Sequence, residues 1–204
     1  MLADLLFAML SAEEIPPPTF EQARASCFAS RALTRERVAG CTQILDAATL
    51  DERTRARALF RRAGAYYALR NHRAAVADYS SALALDPAMS EARLNRAISY
   101  RALRQFDLAI ADYDALIATN PREARLYNNR GNAHRDAGHT DLALADFTEA
   151  TRLNPLSPQA FFNRGALYMQ LGRDREALAE FDHALALDPQ YAQARSARSQ
   201  LQPR

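Results

Sequence analysis

The sequence predicts an all-α protein, a row of helical hairpins stacked side by side. Two observations predict it. Pro87, Pro121, Pro155 and Pro189 recur every 34 residues, each in a near-copy of one phrase: Ala-Leu-Asp-Pro at 84–87 and 186–189, Ile-Ala-Thr-Asn-Pro at 117–121, Arg-Leu-Asn-Pro at 152–155. A period of this size marks units that cannot bury an apolar face alone and stack to do so. Within each period, two apolar stretches at helical spacing flank a short central turn.

Composition narrows the classes. Of 204 residues, 49% are apolar and 25% charged, the balance of an ordinary folded chain. The net charge of +2 gives no overall basic field for nucleic acid. All 26 cationic side chains are Arg. No apolar run is long enough to span a bilayer.

Met1 to Ala12 (MLADLLFAMLSA) is apolar but short, carries Asp4 and lacks a basic start, which makes it a poor secretory signal. A short helix packed on the first repeat is the other reading, and cytoplasmic and periplasmic or exported locations both stay open. Pro16, Pro17 and Pro18 make 1–19 end in an extended linker. From Phe20 the pattern turns helical: Phe20, Ala23, Cys27 and Ala32 form one face. A second helix is expected over 35–48, with Val38, Cys41, Ile44 and Leu45 inward. Arg53 stands where the ladder would put a fifth proline, so 20–55 reads as a degenerate first hairpin, as end units commonly are.

Four clear units follow, at 56–89, 90–123, 124–157 and 158–191. Gly138 and Gly172 end the first helix of units three and four, while Arg70 and Arg104 occupy that slot in units one and two. Those two turns therefore close either without a left-handed residue or with a strained one. Small residues recur at Ala63, Ala97, Gly131 and Gly165, at Ala75, Ala109, Ala143 and Ala177, and at Ala82, Leu116, Ala150 and Ala184. Aromatic columns recur at Tyr66, Tyr100, His134 and Tyr168 and at Tyr79, Tyr113, Phe147 and Phe181. Small residues let helices approach and large ones fill between them. Residues 192–204 read as a polar capping helix with a short tail.

The period, the Gly/Ala at the eighth place, the aromatics at the eleventh and twenty-fourth, Ala at the twentieth and twenty-seventh and Pro at the thirty-second resemble the tetratricopeptide repeat. Asn129-Arg130-Gly131 and Asn163-Arg164-Gly165, with Asn95-Arg96-Ala97 as a variant, resemble its bacterial Asn-Arg-Gly form. The resemblance implies a right-handed α-solenoid whose first helices line a concave groove for an extended peptide or a partner's segment. Two departures are expected to loosen packing: Arg93 at the fourth place and Leu116 at the twenty-seventh.

Carrying the family's inward places onto this chain nominates Arg57, Phe60, Arg61 and Tyr67 in unit one and Asn95 and Arg101 in unit two. Units three and four add Arg125, Asn128, Asn129, Asn132 and Arg135, then Phe162 and Asn163. Amide side chains both donate and accept, so the ladder Asn95, Asn129, Asn163 suits a peptide backbone. The arginines favour an acidic partner. Some members clamp a terminal carboxylate with a Lys/Asn/Asn/Lys/Arg set. The matching places hold Phe60, Gly64, Asn95, Arg125 and Asn129, or, one unit on, Leu94, Ile98, Asn129, Gln159 and Asn163, and reproduce neither.

Arg62, Arg96, Arg130 and Arg164 recur at one place in the first helices, and Asp78, Asp112, Asp146 and Glu180 at one place in the second. Ion pairs that knit units together are expected. Cys27 and Cys41 fall on facing helices of the degenerate hairpin, where a disulfide and two buried thiols both remain open. Exported bacterial members with a Cys in each helix of a first unit resemble this arrangement. His72, His134, His139 and His183 lack a nucleophile or ligand spacing, so no catalytic residue, metal or cofactor is expected. The reading is a non-enzymatic interaction scaffold for a protein or peptide, with an assembly protein packing through its ends or convex face as the alternative.

Overall fold

The computed structural model describes residues 18–29, 34–47 and 50–201. Met1–Ala12, Pro16, Pro17, Ala32, Ala48 and 202–204 lie outside them. The described residues form eleven α-helices: α1 (Phe20–Phe28), α2 (Thr34–Asp46), α3 (Glu52–Ala68), α4 (His72–Leu85), α5 (Ser90–Ala102), α6 (Phe106–Thr119), α7 (Ala124–Asp136), α8 (Thr140–Leu153), α9 (Pro158–Gln170), α10 (Asp174–Leu187) and α11 (Ala192–Leu201). Each helix packs on the next, and the chain is an α-solenoid.

Each of the four clear pairs closes with one turn. In the first pair Asn71 N–H donates to Tyr66 C=O and Arg70 N–H to Tyr67 C=O, and the same two bonds recur from Gln105 and Arg104, His139 and Gly138, Arg173 and Gly172. This is the Schellman closure, which needs a left-handed residue. Gly138 and Gly172 supply it freely, whereas Arg70 and Arg104 adopt it at φ 62° and 60°. The strained alternative therefore holds in pairs one and two. A Cβ in that region costs roughly 1–2 kcal/mol, partly offset by the freedom glycine adds to the unfolded chain. Arg70→Gly with Arg104→Gly is expected to raise stability by about 1 kcal/mol in all, read as a higher urea midpoint at unchanged slope. A lower midpoint would show the strain to be compensated.

The second helices end two residues before each proline. Asp86, Asn154 and Asp188 then turn their carboxylate or amide oxygen to the N–H two residues on, at 3.1, 3.2 and 2.9 Å. That is the reason Asp or Asn precedes these prolines.

The core is a column of rings against small residues. Tyr79, Tyr113, Phe147 and Phe181 are fully buried. A Cβ on Gly131 or Gly165 would stand 2.8 Å from the ring of Phe147 or Phe181, so the small slot is an approach contact. The other aromatic column is half-buried at Tyr66, Tyr100 and Tyr168; only His134 is sunk. Burial, opposed by Asp146, holds the His134 pKa below the ordinary histidine value.

One expectation is corrected. Phe20 is 40% exposed, because it opens α1; Ala23 and Cys27 alone carry that helix's buried face. Arg93 has polar partners of its own. It donates to the Pro87 carbonyl at 3.2 Å, as the Tyr127 hydroxyl donates to Pro121 one repeat later, and lies 3.7 Å from Asp112. A long cation here makes the bond that a tyrosine makes elsewhere.

The charge ladder joins helices in two directions. Arg62, Arg96 and Arg130 grip Asp78, Asp112 and Asp146 bidentately at 2.6–2.9 Å, and Arg164 binds Glu180 at 2.7 Å. The remaining guanidinium nitrogen reaches back to the preceding pair, to Thr42, Ser80, Asp114 or Thr151. Arg198 of α11 continues the series by binding Asp182. Thus α11 docks as the first helix of another repeat.

Candidate functional site

The odd-numbered helices line the inner side of the solenoid. α1 touches α3, α3 touches α5, α7 touches α9 and α9 touches α11, and consecutive second helices make no comparable contact among the described residues. Elements on the inside of a curve lie closer to one another, which identifies the concave wall.

The nominated residues divide into three groups. Some are committed inside the fold. Asn163 is buried and donates its amide N–H to the Asn128 side-chain oxygen at 2.8 Å; Asn132, also buried, donates to the Asn128 carbonyl at 3.0 Å. The first of these bonds ties α9 to α7, and the second stays within α7. Phe162 is half-buried between the rings of Phe181 and Tyr191. Phe60 packs on Tyr79 with ring centres 5.9 Å apart.

A second group lies beside carboxylates. Arg101 donates to Asp136 at 2.7 Å, and Arg135 lies 3.3 Å from the same carboxylate. Arg125 is exposed and stands 3.7 Å from Glu123. The centre of the groove is therefore less positive than a count of arginines suggests. Asp136 was not among the sequence candidates. Its signal was available, since the same place holds Ala68, Ala102 and Gln170 in the other units and Asp136 is the single acid of that column.

The third group faces solvent. Arg57 and Arg61 are exposed, one turn apart on α3, and neither meets a carboxylate within 4 Å among the described residues; Arg57 rests 5.4 Å above the Phe28 ring. Tyr67 is exposed and set edge-on to His72. Asn95 and Asn129 are half-buried. Asn95 faces the Tyr79 hydroxyl, whose pKa burial pushes upward. Asn129 has no hydrogen-bond partner among the described residues.

Clefts repeat where neighbouring pairs meet. One of about 200 Å³ is lined by Glu91, Leu94, Leu116 and Arg125 among others, and the next, about 230 Å³, by Arg125, Asn128, Asn154 and Gln159 among others. A third of about 210 Å³ lies between Gly64, Tyr67, Tyr79, Asn95 and Ile98. Among the described residues no group of three or more His, Cys, Asp or Glu is placed to hold a metal ion, and no helix is long and apolar enough to cross a membrane. The wall offers amides, cations and apolar recesses, which are groups for binding.

The sequence pattern of the tetratricopeptide repeat matches residues 60–124, 94–138 and 128–192. No curated protein sequence matches the chain. Among solved structures, it is similar to MamA (residues 41 to the end) from Desulfovibrio magneticus RS-1, at 18% identity and a TM-score of 0.72, covering 84% of this chain and 97% of that one. It is also similar to YrrB, described as a TPR protein with an unusual peptide-binding site, at 21% identity and a TM-score of 0.68, covering 81% of this chain and 84% of that one. The first TPR of Spaghetti (RPAP3), bound to the HSP90 peptide SRMEEVD, matches at 23% identity and a TM-score of 0.52, covering 55% of this chain and 89% of that one.

Proposed function

The chain belongs to the tetratricopeptide repeat family, and from that premise we propose that it is a non-enzymatic scaffold holding an extended segment of a partner protein in its concave groove. Its units are taken as 56–89, 90–123, 124–157 and 158–191, in the Asn-Arg-Gly form, with a degenerate hairpin at 20–55 and a cap at 192–204. One observation carries the reading. The described residues leave Asn129 without a protein partner on the inner wall, beside half-buried Asn95 and the exposed, unpaired Arg57 and Arg61. Such groups suit a peptide backbone and its acidic side chains. YrrB, with its unusual peptide-binding site, and the first TPR of RPAP3, bound to an HSP90 peptide, share this fold and support the reading. The partner is a protein or peptide of acidic character rather than nucleic acid. Because the terminal-carboxylate set is not reproduced, the segment binds along the groove by its chain and side chains.

A second reading is favoured by Leu108 and Leu142, which stand 49% and 54% exposed on the second helices α6 and α8, one repeat apart. It makes the convex face an assembly surface. Photo-crosslinking separates the two. With benzoylphenylalanine at Asn129 or at Leu142, a partner crosslinked in cell extract from Asn129 alone is the expected result. Crosslinks from Leu142 alone would overturn the groove reading.

A further inference from the structure

Resting on the groove reading, we propose that the end of the groove formed by α3 and α5 is a two-part subsite. Arg57 and Arg61 take acidic side chains of the bound segment, and the recess between Gly64, Tyr67, Tyr79, Asn95 and Ile98 takes one aliphatic side chain two or three residues away.

The charge half rests on contrast. Arg101, Arg125 and Arg135 of the inner wall each lie within 4 Å of a carboxylate, while Arg57 and Arg61 meet none among the described residues. Arg53, also exposed, precedes Arg57 by one turn, so three cations stack along α3 at intervals of four residues. Like charges at this spacing repel. Their repulsion is relieved by an anion laid along the stripe, and two guanidinium forks match carboxylates bidentately.

The apolar half rests on Gly64. The same first-helix place holds Ile98, Asn132 and Ala166 in the other units, so this unit alone lacks a side chain there. A Cβ on Gly64 would find the Tyr79 hydroxyl at 3.6 Å, ordinary contact, so glycine here leaves room rather than allowing two helices to touch. The recess measures about 210 Å³, room for a leucine side chain, where a water takes about 30 Å³. Asn95 and the Tyr79 hydroxyl mark its polar side.

Spacing joins the halves. Gly64 and Tyr67 lie three and six residues beyond Arg61, about 5–9 Å along the helix axis. An extended segment covers that distance in two or three residues at roughly 3.3 Å each.

Fluorescence polarisation on the full chain tests this with two labelled peptides, Gly-Ser-Asp-Glu-Gly-Leu-Ser-Gly and its reversal, Gly-Ser-Leu-Gly-Glu-Asp-Ser-Gly. One of them is expected to bind, at least about tenfold more tightly than its Asn/Gln form or its Leu-to-Gly form. Arg57→Gln with Arg61→Gln is expected to remove the advantage of the acids alone. Gly64→Leu, which fills the recess, is expected to remove the advantage of leucine alone, with unchanged circular dichroism for both variants. Equal binding of acidic and amide peptides, insensitivity to either variant, or no binding by either peptide at about 1 mM protein would overturn the subsite. None of these outcomes touches the Asn129 crosslink, so the groove reading stands or falls separately. Concentration-dependent self-association of the protein alone, abolished by Gly64→Leu, would assign the recess to a second copy and overturn the peptide assignment.

Discussion

Arg130→Ala is expected to lower stability by about 3 kcal/mol, the largest loss of any single ladder position. The reason is what stays behind. Asp146 is 5% exposed and takes both oxygens' bonds from Arg130, at 2.7 and 2.9 Å. Without the guanidinium it is a buried carboxylate facing a neutral or weakly charged His134 at 4.0 Å. Asp114 of the preceding pair also loses its 2.6 Å contact, but it is half-exposed and water replaces the arginine there. The hydrogen bonds from Arg130 to Asp146, with Asp114 beside them, push the Arg130 pKa upward against the opposing effect of burial, so the guanidinium is charged at every accessible pH. Arg130→Met with Asp146→Leu removes both charges together and is expected to recover most of the loss, because the cost of the single variant is an orphaned ion. Urea unfolding of the two singles and the double forms the cycle. A loss below about 1 kcal/mol for Arg130→Ala would place the ladder among ordinary surface pairs.

That Arg130 meets Asp146 could be read from the sequence, and the reason is geometric. Both belong to one hairpin, sixteen residues apart in every unit, and a hairpin with a constant turn holds constant separations. The prolines, the small slots and the buried ring column were legible for the same cause. Relations between units were harder to read. Asn163 and Asn128 lie 35 residues apart, and whether the amide of one reaches the other or turns to the groove depends on the rotation between neighbouring pairs. Arg101 and Asp136 show the same limit: the register placed Arg101 on the wall, but the arginine's choice of partner depends on how far its stem extends. Arg104 shows a different one. Sequence preference opposes arginine in a left-handed turn, and the hairpin's demand for a Schellman closure prevails. Phe20 looked inward by spacing, and only its place in the first turn of α1 leaves it outside the packed face.

Reduction of the Cys27–Cys41 disulfide is expected to uncouple the α1–α2 hairpin from the rest of the molecule. The bond closes a loop across 14 residues, and a loop of that length is worth about 3 kcal/mol in the unfolded chain. The hairpin has little else to hold it. Its helices approach at Gly40, where a Cβ would stand 2.6 Å from the Ala23 carbonyl, and its core is Ala23, Ile44 and Leu45 against Ala58, Leu59 and Ala82. In a solenoid each pair leans only on its neighbours, so the loss stays local. Hydrogen exchange after reduction is expected to show amides of α1 and α2 losing about 100-fold in protection while those of α7 to α10 keep theirs. Both cysteines are fully buried, so a reductant reaches them only when the hairpin opens, and the reduction rate is expected to rise steeply with low urea. Thiol titration of protein unfolded without reductant supplies the count. Two free thiols in protein taken from its native compartment would remove the disulfide and predict a hairpin that is already loose. Loss of protection spread evenly over all pairs would show that the ladder from Thr42 through Arg62 couples the hairpin to the array more tightly than its small core implies.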